Sequence, residues 1–227
     1  MTAPCPQFDP DTIGQLNSLL LPILRERIDR LGETESGAYN FYVQRLNREN
    51  LLANYEIEIV KRFMERGMVS GGVHEIGSGL GQLPFIFAFN GVHAAGVEID
   101  RRRYAAGAAM VEAIAKARPD VAAHLLFLPG AFPLPPDQLP PGQAVVLATN
   151  LVFTTNLPTK LAIVKSMQRY RMAVVDADRL FDRHNTSEER ERTFELMAQA
   201  GYPPGEPFLD LGESGRYFLY TMAGSAT

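Results

Sequence analysis

A chain of 227 residues with 46% hydrophobic content can bury one substantial core, and its formal net charge of −4 offers no global attraction to nucleic acid. Its single cysteine, Cys5, disfavours disulfides, thiolate zinc sites and a cysteine nucleophile in the core. The opening residues carry no basic segment followed by an apolar stretch, and no apolar run approaches the ~20 residues that cross a bilayer, so a soluble cytoplasmic protein is expected.

After a proline-containing arm, Leu16, Leu19, Leu20, Ile23, Leu24, Ile28 and Leu31 recur at helical spacing. GETESG at 32–37 breaks this helix. A second helical stretch runs from Tyr39 to Arg66, with an interruption near Asn47 to Asn50 and Gly67 as its C-terminal cap. These helices predict a cap over residues 1–70, ahead of a separate domain over 71–227.

From residue 73 the pattern alternates. VHEI (73–76) reads as a strand and LPFIFAF (83–89) as a buried helix; AAGVEI (94–99) is a second strand, and Arg101 to Ala117 a helix stopped by Pro119. HLLFL (124–128) is a third strand, followed by the proline-rich PGAFPLPPDQLPPGQ; AVVLATN (144–150) is a fourth, a helix follows from Pro158, and MAVVDA (172–177) is a fifth. Thr186 and Glu189 have capping-box spacing before a helix ending at Gly201, and FLDL and RYFLYTM form a closing antiparallel hairpin. Strands alternating with helices predict a mostly parallel α/β sheet, whose ligands bind beyond the carboxyl ends of the strands where strand order reverses.

The turn after the first strand, EIGSGLGQ, places Gly77, Gly79 and Gly81 as G-x-G-x-G, with Gln82 where a dinucleotide fingerprint needs its third glycine. No Gly-Lys-Ser/Thr follows, so a phosphate-binding loop is excluded as well. An acid, Glu75, precedes the glycines, and a second acid, Glu98, ends the next strand in GVEI. On these residues the chain resembles the class I S-adenosylmethionine-dependent methyltransferases, from about Val73 to Thr221.

The resemblance implies a Rossmann-like, seven-stranded, mostly parallel sheet with a terminal antiparallel hairpin, plus an N-terminal helical cap. It implies S-adenosylmethionine as cofactor, with S-adenosylhomocysteine as product. Glu75 would face the cofactor's ammonium, and Gly77, Ser78, Gly79 and Gly81 would let the backbone approach it. Glu98 would accept from both ribose hydroxyls, with Ile99 beside it and Asp100 as competitor for its role. Where many relatives carry an acid after strand three, this chain has Gly130-Ala131-Phe132, so Ala131 and Phe132 are the candidate adenine contacts. Asn150 is a further cofactor candidate. Tyr42 and Tyr55 in the cap and His184 beyond strand five are substrate candidates.

The implied reaction is direct displacement: a nucleophile attacks the sulfonium methyl and S-adenosylhomocysteine leaves, a step that rests mainly on alignment. A small-molecule acceptor is the first expectation and a protein side chain the second. The absence of an N-P-P-aromatic motif disfavours methylation of nucleic-acid bases. Rival readings are aminocarboxypropyl transfer from the same cofactor and a non-catalytic binding or scaffold module. The histidines His74, His93, His124 and His184 match no ligand spacing, so no metal is expected. Asp176 and Asp178, at the end of strand five, read as solvated carboxylates ahead of cleft-facing ones.

Overall fold

The computed structural model describes residues 7–31, 37–132, 145–148, 157–178 and 187–221. The proline-rich segment beyond Phe132, Asn150, His184 and the Thr186 end of the capping box lie outside the described residues.

The apolar helical spacing at the start becomes helix α1 (Asp11–Arg27), extended by a 3-10 turn over Ile28–Arg30. The second predicted helical stretch is two helices, α2 (Gly37–Asn47) and α3 (Asn54–Glu65). They part where Glu49 takes a left-handed backbone (φ 49°). Helix α3 ends as expected at Gly67, whose positive φ lets the Gly67 and Met68 amides donate back to the Met64 and Phe63 carbonyls at 3.0 Å each.

The alternating region gives β1 (Val73–Ile76), α4 (Gln82–Phe89), β2 (Ala94–Glu98), α5 (Arg101–Ala117) and β3 (Leu125–Pro129). Between the last two, Pro119 stops α5 and opens a further short helix, α6 (Pro119–Ala122). Then come β4 (Val145–Ala148), α7 (Leu157–Met167), β5 (Met172–Asp176), α8 (Ser187–Gln199), β6 (Glu206–Asp210) and β7 (Arg216–Thr221). His124 sits in the turn before β3 rather than in the strand, and β2 stops at Glu98, leaving Ile99 just beyond the ladder.

The seven strands form one sheet in the order β3-β2-β1-β4-β5-β7-β6. Pairings among β1 to β5 are parallel; β7 runs antiparallel to both β5 and β6. Strand order therefore reverses between β1 and β4, so the loop after β1 leaves the sheet beside the switch point. The closing hairpin folds back so that its second strand, not its first, pairs with β5.

Side chains alternate between the two faces. Val73, Val145, Leu147, Val174 and Leu219 face a core shared with α1, α3, α4 and α5, which contribute Leu16, Leu20, Phe63, Phe87 and Met110. Phe63 joins α3 to the sheet, meeting Phe87 at 5.4 Å and Phe208 at 5.1 Å, both edge to face. The other face, with Ile76, Val146, Ala173 and Val175, packs on Val164, Met167, Leu196 and Met197 of α7 and α8. The strands β1, β2 and β4 are buried throughout, as parallel strands covered on both sides must be. A polar side chain in such a strand stands out, and β1 and β2 carry three: His74, Glu75 and Glu98.

Candidate functional site

The loop after β1 is shaped by backbone conformations that glycine adopts without penalty. Gly77, Gly79 and Gly81 have φ of 67°, 60° and 94°, which accounts for their alternate spacing. At Gly81 a side chain would also collide with the Phe85 ring, 2.8 Å from where its Cβ would lie.

The loop is held against β2. The Ser78 amide donates to the Val97 carbonyl at 2.9 Å, and the buried Ser78 hydroxyl lies 2.6 Å from where a Cβ on Gly96 would be. Phe127 of β3 crowds the same space, within 3.0 Å of that position and 2.6 Å of the corresponding one at Gly107 in α5. Gly96, Gly107 and Phe127 thus form a nest that seats the loop, and sequence reading missed it. A lone glycine inside a strand, as in GVEI, was the available signal.

Glu98 ties the end of β2 to the loop. Its Oε2 accepts from the Gly79 amide at 2.8 Å and its Oε1 from the Asp100 amide at 2.7 Å, while Arg103 approaches Oε1 at 3.4 Å. Its side chain is 0% exposed. Burial pushes the carboxyl above its usual range, against the opposing pull of Arg103 and the two amides. Asp100 caps α5, its Oδ1 accepting from the Arg102 and Arg103 amides at 2.9 and 3.0 Å.

Glu75 is buried on the same sheet face. It pairs in register with Gly96, so Glu98 stands two residues further toward the carboxyl ends. Above this face sit the cap helices. Tyr42 of α2 places its hydroxyl 2.7 Å from where a Gly79 Cβ would lie and hydrogen-bonds Gln82. Burial pushes its pKa up to about 12, with Arg45 and Arg103 opposing. Tyr55 of α3 donates to Glu56 Oε1 at 3.3 Å, and burial, then Glu56, hold its pKa well above the ordinary tyrosine value; Tyr217 and Glu75 are close enough to add to this. The two cap helices are clamped together by a buried, bidentate Arg45–Glu56 ion pair at 2.9 and 3.0 Å, and Arg45 also donates to the Leu51 carbonyl.

Ile99 is 55% exposed, a large apolar side chain open to solvent directly beside Glu98. The Gly130 amide donates to the Glu98 carbonyl at 3.0 Å, which brings exposed Ala131 to the same strand end. Phe132 packs edge-on to the His74 ring at 6.2 Å, against the core of the opposite face. Glu75, Gly77, Ser78, Gly79, Gly81, Glu98, Ile99 and Ala131 therefore lie along the carboxyl ends of β1, β2 and β3, with Tyr42 and Tyr55 reaching toward them from the cap.

The expectation of solvated carboxylates at the end of β5 is corrected. Asp176 and Asp178 are both buried. Arg190 Nε meets Asp178 Oδ1 at 2.8 Å and Arg216 Nη1 meets Oδ2 at 3.0 Å, because β7 lies beside β5 and α8 packs above it. Asp176 Oδ1 accepts from the Asp178 amide at 3.1 Å. Among the described residues, no group of three or more histidine, cysteine, aspartate or glutamate side chains is arranged to hold a metal, and no helix is long and apolar enough to cross a membrane.

No protein-family model matches the chain, and no curated protein matches it in sequence. Solved structures do match in shape. A putative O-methyltransferase from Nostoc punctiforme PCC 73102 aligns with 92% of this chain and 73% of its own, at a TM-score of 0.55 and 14% identity. The glycopeptide N-methyltransferase MtfA, solved with S-adenosyl-L-homocysteine, aligns with 73% of this chain and 86% of its own, at a TM-score of 0.53 and 15% identity. EvdMO1 aligns with 74% of this chain at a TM-score of 0.52 and 15% identity, and the match spans only 41% of that longer protein. At these identities the likeness is one of architecture, and the architecture, strand order included, is the class I S-adenosylmethionine-dependent methyltransferase fold.

Proposed function

We propose that this chain is an S-adenosylmethionine-dependent methyltransferase that acts on a small molecule by direct displacement at the sulfonium methyl. The observation that carries the reading is Glu98. Its carboxylate is buried at the end of β2, one strand from the strand-order reversal, and is held in a fixed orientation by a backbone amide on each oxygen. Each oxygen keeps a lone pair beyond its amide bond, which suits a pair of ribose hydroxyls. The exposed Ile99 side chain beside it suits an adenine face. Glu75 would take the ammonium, the amides of the glycine loop the carboxylate, and the backbone of Ala131 the adenine edge. Tyr42 and Tyr55 would close residues 1–70, the cap, over the domain formed by 71–227.

When bound, S-adenosylmethionine supplies an electrophilic methyl group. The chain's own residues bind and orient it and keep water out, and alignment of donor and acceptor does most of the catalytic work. Of the three contacts of the Glu98 carboxylate, that with Arg103 is the longest at 3.4 Å and would be the one to yield to a ribose. Neighbours carrying O- and N-methyltransferase descriptions, one with S-adenosylhomocysteine bound, support the cofactor. The net charge of −4 supports a partner other than nucleic acid, and a cytoplasmic setting fits the absence of a membrane-spanning helix among the described residues.

Titration calorimetry with S-adenosylhomocysteine tests the reading. Binding is expected, and Glu98→Ala should weaken it by about 10–100-fold, as the loss of charged hydrogen bonds does. No binding at millimolar ligand overturns the proposal; unchanged affinity in a folded Glu98→Ala protein overturns the role of Glu98 alone.

A further inference from the structure

Sequence spacing separates the histidines, but the fold brings two of them together. His93, just before β2, and His124, just before β3, stand side by side at the amino ends of adjacent strands. This is the end of the sheet opposite the glycine loop. Their Nδ1 atoms are 3.3 Å apart and their ring centroids 4.4 Å apart, tilted by 57°. Both backbones are pinned by the ladder: the His93 carbonyl accepts from Val73 at 2.9 Å and the His124 carbonyl from Ala94 at 2.8 Å. The pair is open to solvent.

We propose that His93 and His124 form a two-point binding site for a divalent transition-metal ion that takes tetrahedral coordination, Zn2+ above all. The distance carries the inference. With metal–nitrogen bonds of about 2.0–2.1 Å, two ligand nitrogens 3.3 Å apart subtend an angle of about 104–111° at the metal, which brackets the tetrahedral value. Imidazole suits Zn2+, whereas Cu2+ and Ni2+ favour angles of about 90°, and Mg2+ and Ca2+ call for oxygen ligands that the pair does not supply. Both side chains would use Nδ1 lone pairs and keep the proton on Nε2. The competing arrangement is an N–H···N hydrogen bond between the rings, which needs one Nδ1 protonated. Two imidazoles fill half of a tetrahedral shell, leaving two positions for water or for a donor from another molecule. The chain supplies the geometry in advance, since the sheet register sets the spacing of the two backbones and no segment has to fold around the ion.

The test uses the full chain without an affinity tag, titrated with ZnCl2 by calorimetry and followed by thermal melting. One ion per chain is expected, with metal at about five times its Kd raising Tm by about 2–4 °C. His93→Gln and His124→Gln should each weaken binding by about 100-fold, the loss of the chelate advantage. Absence of binding at millimolar metal, or affinity retained in both variants, overturns the site. The outcome is independent of the cofactor: S-adenosylhomocysteine affinity should be the same with and without the metal and in both variants.

Discussion

His74 makes acid lability a sharp test of the packing under the sheet. It lies in β1, fully buried, its Nδ1 against the Tyr170 hydroxyl and its Nε2 without a hydrogen-bond partner among the described residues. Burial pushes its pKa down from 6.5 to about 4. The unfolded chain therefore takes up this proton near pH 6.5, whereas the folded chain resists until about pH 4. Stability from this group is complete above pH 6.5, falls as pH falls through that window, and levels off below it. Across the whole interval the loss is about 3 kcal/mol, and between pH 7 and pH 5 about 2 kcal/mol, a large share of the roughly 5–15 kcal/mol that holds a domain together. Urea unfolding followed by far-ultraviolet circular dichroism suits a chain with no tryptophan. The wild type and His74→Gln should be compared at both pH values, since other groups titrate equally in the two. The variant should lose about 2 kcal/mol less than the wild type on going from pH 7 to pH 5. Equal losses in the two proteins would refute the reasoning.

Further expectations concern the site and its support. Gly79→Ala forces a left-handed backbone on alanine and pushes the Tyr42 hydroxyl aside, so stability should fall by about 1–2 kcal/mol and S-adenosylhomocysteine binding should weaken, by urea titration and calorimetry. Gly107→Ala sets a methyl within 2.8 Å of the Leu80 carbonyl and closer still to the Phe127 ring; despite the gain in helix propensity, a net loss of about 1–3 kcal/mol should appear in chemical denaturation. Arg45→Met strands Glu56 in the cap, and the urea midpoint should record a loss of about 3–5 kcal/mol. Glu98, raised by burial above the usual carboxylate range, must be ionised to accept two hydroxyls; S-adenosylhomocysteine affinity should therefore decline on mild acidification in the wild type and stay flat in Glu98→Gln, as calorimetry across pH would show.

Much of this molecule is legible locally. A buried four-residue strand, three glycines at alternate positions and an acid at the next strand end are each dictated by short-range physics: backbone conformation at φ near 60–94°, and strand periodicity. The LPFIFAF stretch of α4 is so uniformly apolar that only a buried element can hold it. What sequence could not show depends on contacts made across long separations. Asp178 reads as a surface carboxylate until β7 slots between β5 and β6 and delivers Arg216 from 38 residues away. The edge-on contact of Phe132 with the His74 ring joins residues 58 positions apart, and nothing local announces it.

Gly96 is the instructive case, because its neighbours join the two motifs that were read separately. The glycine of GVEI is the cross-strand neighbour of Glu75, and without it the Ser78 hydroxyl could not lie against β2, and the loop could not bring the Gly79 amide to Glu98. The first motif's backbone and the second motif's carboxylate thus form one bonded unit, seated on Phe127. It follows that the glycine spacing and the strand-end acid are not independent signs of a cofactor. Part of their joint occurrence is a structural requirement of the loop itself, and a ligand role rests on what that requirement leaves unexplained. What it leaves is a buried carboxylate with lone pairs to spare and an exposed isoleucine beside it.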